Sequence, residues 1–212
     1  MKQERHTSEQ AGAVPTVAER ATGSRVPDDL LLDAARTCVL AAGVRRTTLT
    51  DIARTAGVSR MTLYRRYPDV RSILAALLTR EFGVLLHRVN ARIDFALPAR
   101  ERLVELGVAA VRALGADPLL RTVLDRDAEQ VLPYVTERLG STQRLAEQVV
   151  AGLVAEGHAD GSVRRGEPSA QVRALLLAVQ SFVLSWRPAT RDVDGESLLA
   201  ELRHLLESSL TP

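Results

Sequence analysis

The chain has 212 residues, of which 46% are hydrophobic, 25% are charged and only 3% are aromatic. This length and hydrophobic content predict a globular protein with a buried core, in one large helical unit or two small domains. Leu, Ala, Val and Arg dominate while aromatic residues are scarce, which favours an all-α fold. No run of about 18 uncharged apolar residues occurs, so we expect a cytoplasmic protein without a membrane partner.

The positive charge is concentrated in one part of the chain. The overall net charge is only +2, but residues 25–88 contain 11 arginines and six acidic residues, whereas residues 89–212 contain 14 arginines and 17 acidic residues. A basic segment joined to an acidic remainder is typical of a DNA-binding unit attached to a second domain, because arginines neutralise phosphates. A solvated charged surface would show the same distribution, so charge alone leaves both interpretations open.

The first elements in chain order are a tail and one helix. Residues 1–25 are polar and lack an apolar period, so we expect a disordered tail. After Pro27, apolar residues recur at helical spacing until Gly43, and Asp28 and Asp29 place negative charge in the first turn. This pattern predicts the first helix.

Two short helices separated by a tight turn are predicted next. Thr48 provides a hydroxyl N-cap for a helix that ends at Gly57. Ser59 caps a third helix, which Pro68 closes because the residue before a proline avoids the helical region. The turn comprises only residues 56–58. This arrangement predicts a helix-turn-helix. In this motif the first short helix packs against the second and holds it outward, so that the second can enter the major groove of DNA.

The remaining elements are also predicted to be helical. Asp69 caps a long fourth helix over residues 70–90, which has one apolar face. A stretch over residues 128–157 is expected to be interrupted around Pro133 and Gly140. The other predicted helical stretches are 98–114, 118–126, 168–187 and 195–210.

The helix-turn-helix segment resembles that of a known family of regulators. Residues 48–67 read TLTDIARTAGVSRMTLYRRY, which is similar to the pattern T-x-x-x-I-A-x-x-A-G-V-S-x-x-T-L-Y-x-x-F of the tetracycline-repressor (TetR) family. The resemblance covers residues 28–75 and is in register throughout. Two positions depart from the family, which often has Gly in place of Met61 and Lys in place of Val70.

This resemblance implies a domain organisation and a DNA-binding surface. A three-helix DNA-binding domain over residues 26–72 would precede a helical effector-binding and dimerisation domain over residues 73–212. The implied DNA-binding residues are Thr48, Ser59, Arg60, Met61, Thr62, Tyr64, Arg65 and Arg66. In this scheme base edges are read by Arg60, Met61, Thr62 and Arg65, and phosphates are held by Thr48, Tyr64 and Arg66.

The C-terminal helices carry the apolar residues from which a dimer interface is predicted. Two such helices from each of two copies would form a four-helix interface, as the resemblance also implies. Paired recognition helices about one DNA turn apart, roughly 34 to 36 Å, would then read a palindromic operator. The candidate interface residues are Leu176, Val179, Val183, Leu198, Leu202, Leu205 and Leu206. The alternative is that these residues belong to the core of a monomer.

The resemblance further implies a pocket for a small effector that releases the operator. Release requires that the effector prefer one of two arrangements of the protein. The candidate lining residues, which predict a largely apolar effector, are Leu106, Val111, Tyr134, Leu153, Phe182 and Trp186. The alternative for each of them is an ordinary core position.

These observations predict a sequence-specific transcriptional regulator, and we expect a repressor, although the sequence does not distinguish it from an activator. The sequence contains no P-loop, no HExxH motif and no nucleophile elbow, so we expect no enzymatic activity, metal site or cofactor. The alternative function is a helical small-molecule-binding or interaction protein that does not bind DNA.

Overall fold

The computed structural model describes residues 26–136 and 141–212, without the side chains at 128, 130–136 and 141–142. This part of the chain forms nine α-helices and no β-strand, which confirms the all-α prediction. Among the described helices, none is long and apolar enough to cross a bilayer. The tail expected over residues 1–25 lies outside the described residues.

The helices follow one another with short connections. In chain order they are α1 (Asp28–Ala42), α2 (Leu49–Thr55), α3 (Arg60–Arg66), α4 (Val70–Asn90), α5 (Ala99–Ala116), α6 (Pro118–Thr136), α7 (Ser141–Asp160), α8 (Pro168–Ala189) and α9 (Gly195–Leu210).

Three of the N-caps predicted from the sequence are confirmed. The side chain of Thr48 accepts a hydrogen bond from a backbone N–H in the first turn of α2, and that of Ser59 does the same for α3. Asp69 and Ser72 form a reciprocal capping box at the start of α4. Each cap satisfies an N–H group that has no partner within its own helix.

The prediction for the middle of the chain is partly wrong. The backbone is non-helical at Asp127 (φ −140°, ψ 29°), so the predicted division between residues 126 and 128 is confirmed as a kink within α6. The interruption expected around Pro133 is not observed, because α6 continues to Thr136. A proline removes one intrahelical hydrogen bond, and this local cost can kink a helix without ending it. The interruption expected at Gly140 lies outside the described residues.

Buried apolar residues form two clusters. The N-terminal core comprises residues of α1, α2, α3 and the first half of α4, together with Leu119 and Val123 of α6. The C-terminal core comprises residues of the second half of α4 and of α5, α7, α8 and α9. Helix α4 therefore contributes to both cores, and the domain boundary expected between residues 72 and 73 falls inside this helix.

A buried carboxylate joins α6 to the loop between α1 and α2. Asp127 is only 3% exposed, and its Oδ2 accepts a hydrogen bond of 2.7 Å from the backbone N–H of Val44. Its Oδ1 accepts a longer bond of 3.3 Å from Arg45 N–H. Gly43 has φ +83°, and a Cβ at this position would lie 2.9 Å from Asp127 Oδ2. The loop therefore requires glycine both for its backbone conformation and for the close approach of the carboxylate.

We expect Asp127→Ala to lower the free energy of unfolding by about 3 kcal/mol, since two backbone N–H groups lose a charged acceptor in a buried position. Asp127→Asn keeps one carbonyl acceptor, so its loss should be smaller. Urea unfolding followed by circular dichroism measures both. The control is Asp125→Ala, which removes another carboxylate of α6. That carboxylate is partly exposed and pairs with Arg187 of α8. Equal losses for Asp127→Ala and Asp125→Ala would contradict this account.

Candidate functional site

A tight turn sets the angle between α2 and α3. Gly57 has φ +66°, a conformation that residues with a Cβ rarely adopt, and no atom within 4 Å would oppose a Cβ there. Glycine is thus needed at this position for its backbone conformation alone. The backbone N–H of Val58 donates to Ala53 O at 3.0 Å, which closes the turn. Leu63 of α3 is fully buried in the N-terminal core, so α3 is held by its inner face.

The outer face of α3 is exposed and basic. Met61 is 70% exposed and Tyr64 is 49% exposed, so two large side chains stand beside the arginines on this face. The exposed residues of α3 are Arg60, Met61, Tyr64, Arg65 and Arg66. Among the described residues, Arg60 and Arg65 have no hydrogen-bond or ion-pair partner, so their guanidinium groups are available to an anion.

Arg66, by contrast, is engaged by α1. Its Nε donates to Asp28 Oδ1 at 2.8 Å, and its Nη2 donates to Oδ2 of the same carboxylate. The hydrogen bond to Asp28 is the main reason why the pKa of Arg66 lies above its ordinary value. A phosphate at this position would have to share or replace the carboxylate.

Two hydroxyl residues of the predicted surface, Thr48 and Ser59, are helix N-caps, and the hydroxyl of Thr62 is hydrogen-bonded to the second of them. Thr48 Oγ1 donates to Asp51 Oδ2 at 2.6 Å, and this bond is the main reason why the pKa of Asp51 lies below its ordinary value. The hydroxyls of Ser59 and Thr62 lie 2.8 Å apart and share a hydrogen bond. Thr48 and Ser59 are exposed, and Thr62 is half-buried. All eight predicted DNA-binding residues therefore lie on α3 or at the starts of α2 and α3.

A second feature is an apolar cavity of about 270 Å³ in the C-terminal part of the molecule. Its wall is formed by residues of α4, α5, α7 and α8, with Leu119 and Leu120 of α6 and Leu206 of α9. Leu119 also belongs to the N-terminal core. The cavity therefore lies directly against two helices, α4 and α6, that hold the N-terminal core.

Most of the predicted pocket residues lie elsewhere. Leu106 lines the cavity, but the other predicted residues whose side chains are described pack in the C-terminal core without lining it: Val111, Leu153, Phe182 and Trp186. The side chain of Tyr134 lies outside the described residues. The sequence interpretation also missed the contribution of α4. Phe82 and Leu85 line the cavity, and their apolar periodicity was the available signal.

The predicted dimer residues fall into three environments. Leu176, Val179, Val183 and Leu206 line the cavity. Leu202 is fully buried in the C-terminal core, and Leu198 is half-buried. Leu205 is 56% exposed, and Leu177 of α8, which was not predicted, is 58% exposed. Exposed leucines are thus present on both α8 and α9.

Comparison with known proteins identifies the family. The model for bacterial regulatory proteins of the tetR family matches residues 31–77. An uncharacterized HTH-type transcriptional regulator of Mycobacterium bovis is 38% identical over 189 residues, which cover 89% of this chain and 94% of the relative.

Two solved structures share the fold. The fatty acid degradation regulator FadR from Bacillus halodurans has a TM-score of 0.65 and 19% identity, covering 84% of this chain and 93% of that one. FadR from Bacillus subtilis in complex with stearoyl-CoA has a TM-score of 0.64 and 20% identity, covering 87% of this chain and 100% of that one. The fold, the helix-turn-helix and the Mycobacterium relative together show that the chain belongs to the tetR family of bacterial regulatory proteins and is a helix-turn-helix transcriptional regulator.

Proposed function

We propose that the protein is a repressor, that it binds a palindromic operator as a homodimer through α3, and that a small apolar effector in the cavity releases it. The observation that carries the proposal is the outer face of α3, where two arginines without a described partner stand beside exposed Met61 and Tyr64. A helix in the major groove would use all of these side chains.

The chemistry of the α3 side chains matches the components of DNA. The guanidinium of an arginine can donate two hydrogen bonds to a guanine edge, which suits Arg60 and Arg65. Met61 offers an apolar contact for a thymine methyl group, with Thr62 beside it. Thr48, Ser59 and Tyr64 supply hydroxyl groups for phosphates at the edge of the groove. Arg66 would reach a phosphate by exchanging Asp28 for it.

We expect Arg65→Ala to weaken operator binding about tenfold to a hundredfold, the cost of losing one bidentate base contact. The operator is first isolated by selection from random duplexes, and binding is then measured by fluorescence anisotropy. The control is Arg88→Ala, which removes the same charge from an exposed position in the last turn of α4, at the end of that helix that is farther from α3 in the chain. Identical affinities of the two variants would show that α3 does not read the operator.

The alternative function, a helical interaction protein without DNA binding, predicts a different response to salt. Contacts to phosphates release counterions, so the affinity of a repressor for duplex DNA should fall steeply as the salt concentration rises. An interaction module should show no affinity for the selected duplex at any salt concentration.

The proposed dimer rests on the exposed leucines of α8 and α9. Leu177 and Leu205 are each more than half exposed although both helices contribute to the C-terminal core. We propose that the two leucines lie in one apolar patch, the kind of surface that packs against a partner. A second copy would present the same patch, which gives a two-fold symmetric interface and matches a palindromic operator.

We expect Leu205→Glu to yield monomers, because it places a charge in the proposed interface without disturbing the monomer. Sedimentation velocity measures the change. Leu202→Glu is unsuitable for this test, since Leu202 is fully buried and a charge there would unfold the protein. The control is Val84→Glu on α4, a similarly exposed apolar position away from α8 and α9. An unchanged dimer in Leu205→Glu would contradict the proposed interface.

The proposed effector is an apolar chain. The cavity wall is mostly apolar, and the Bacillus subtilis FadR structure with the same fold is a complex with stearoyl-CoA. A ligand between α4 and α8 would favour one position of α4, and α4 carries residues of the N-terminal core. Such a preference is what release of the operator requires.

We expect Ala110→Leu, which narrows the cavity from α5, to raise the stearoyl-CoA concentration needed for operator release at least about tenfold, the cost of overpacking a filled site. Operator binding without the ligand should stay unchanged. Anisotropy titration of the operator complex measures both quantities. Ala116→Leu is the matched control because it enlarges an exposed alanine of the same helix. An equal response of the two variants would place the effector outside this cavity.

A further inference from the structure

The cavity wall includes a small set of polar residues. They are Thr79, Glu81, Asp117, Gln143 and Gln180. The hydroxyl of Thr79 donates to Ala75 O at 2.8 Å within α4, so it serves its own helix. The remaining four residues differ in the hydrogen bonds and ion pairs that their side chains form with the rest of the protein.

The two acidic side chains of the wall are hydrogen-bonded or ion-paired to neighbouring residues of the protein. Asp117 Oδ1 accepts a hydrogen bond of 2.8 Å from the backbone N–H of Leu120 at the start of α6. Glu81 forms ion pairs with Arg36 of α1 at 3.3 Å and with Arg80 at 2.7 Å. The charged side chains that line the described part of the cavity are therefore acidic, and the nearby arginines are already paired.

The two glutamines form a bridge between α7 and α8. Gln143 Nε2 donates to Gln180 Oε1 at 3.2 Å, and both side chains are half-buried. A side-chain amide carries two N–H donors and an acceptor oxygen. The Nε2 group of Gln180 makes no hydrogen bond with any described residue, so its donors are available at the cavity wall.

We propose that this amide pair recognises a neutral carbonyl group of the effector, so that the cavity selects an acyl group whose carbonyl carries no charge, as in an ester, thioester or amide, over a free fatty carboxylate. The inference rests on the proposed effector role of the cavity. The N–H groups of Gln180 match a carbonyl acceptor in an otherwise apolar wall. A carboxylate in the same place would lose its hydration in a mostly apolar wall without gaining an ion-pair partner there, which is strongly unfavourable.

The test uses three probes that share a ten-carbon alkyl or acyl group: methyl decanoate, decanoate and decyl methyl ether. Binding to the full chain is followed through the fluorescence of Trp186, the single tryptophan, which packs against Gly115 of α5. A probe that leaves the fluorescence unchanged is scored by the rise in the thermal unfolding midpoint. At a pH well above the pKa of a fatty acid, we expect the ester to bind at least about tenfold tighter than decanoate.

Variants separate the hydrogen bond from the apolar contact. Gln180→Met should weaken ester binding about fivefold, the effect of one hydrogen bond, and should leave ether binding unchanged. Gln180→Leu, which also removes the N–H donors, serves as the second variant if Gln180→Met unfolds. Gln148→Met, at an exposed position of α7, is the matched control and should change neither affinity.

Several results would overturn the inference. Decanoate binding as tightly as the ester would remove the selection for a neutral group. Equal losses of ester and ether binding in Gln180→Met would show a role in packing alone, and the absence of binding by all three probes would exclude the cavity as their site. If the ester binds as expected but leaves the operator complex intact, the proposed release mechanism fails while this inference stands.

Discussion

Helix α4 belongs to two cores at once, and the rest of the architecture depends on this sharing. Ile73, Leu74 and Leu77 are buried with α1, α2 and α3, whereas Leu86 and Val89 are buried with the C-terminal helices. Interiors of this kind are close-packed, so a helix with side chains in both of them cannot move in one without repacking the other. The cavity lies against the middle of this helix. Helix α4 therefore extends from the wall of the cavity to the N-terminal core, where its first residue follows α3 in the chain.

Helix α6 provides a second connection between the cavity and the N-terminal core. Leu119 lines the cavity and is also buried in the N-terminal core. Val123, one helical turn after Leu119, is buried in the same core. Asp127, one turn further, accepts hydrogen bonds from backbone N–H groups of the α1–α2 loop. Arg45 of that loop also pairs with Glu129. The N-terminal helices are thus held by apolar contacts and by a buried carboxylate from an element outside their own sequence segment.

The two faces of α8 have different environments. Leu176, Val179 and Val183 line the cavity, whereas Leu177 on another face is exposed. If α8 packs against a second copy of the chain, the effector and the partner subunit contact opposite sides of one helix. The spacing of two recognition helices would then depend on the same packing that shapes the cavity.

The helices and the helix-turn-helix can be predicted from the amino-acid sequence, because they depend on local interactions. The hydroxyl caps Thr48 and Ser59 and the turn at Gly57 are each read from neighbouring residues, and the structure confirms both caps. Which apolar side chains line the cavity and which are exposed depends instead on the packing of distant helices. Leu202 and Leu205 have the same chemistry, yet one is buried and the other is exposed. Helical periodicity shows that a face is apolar, but the neighbour that covers it comes from distant parts of the chain.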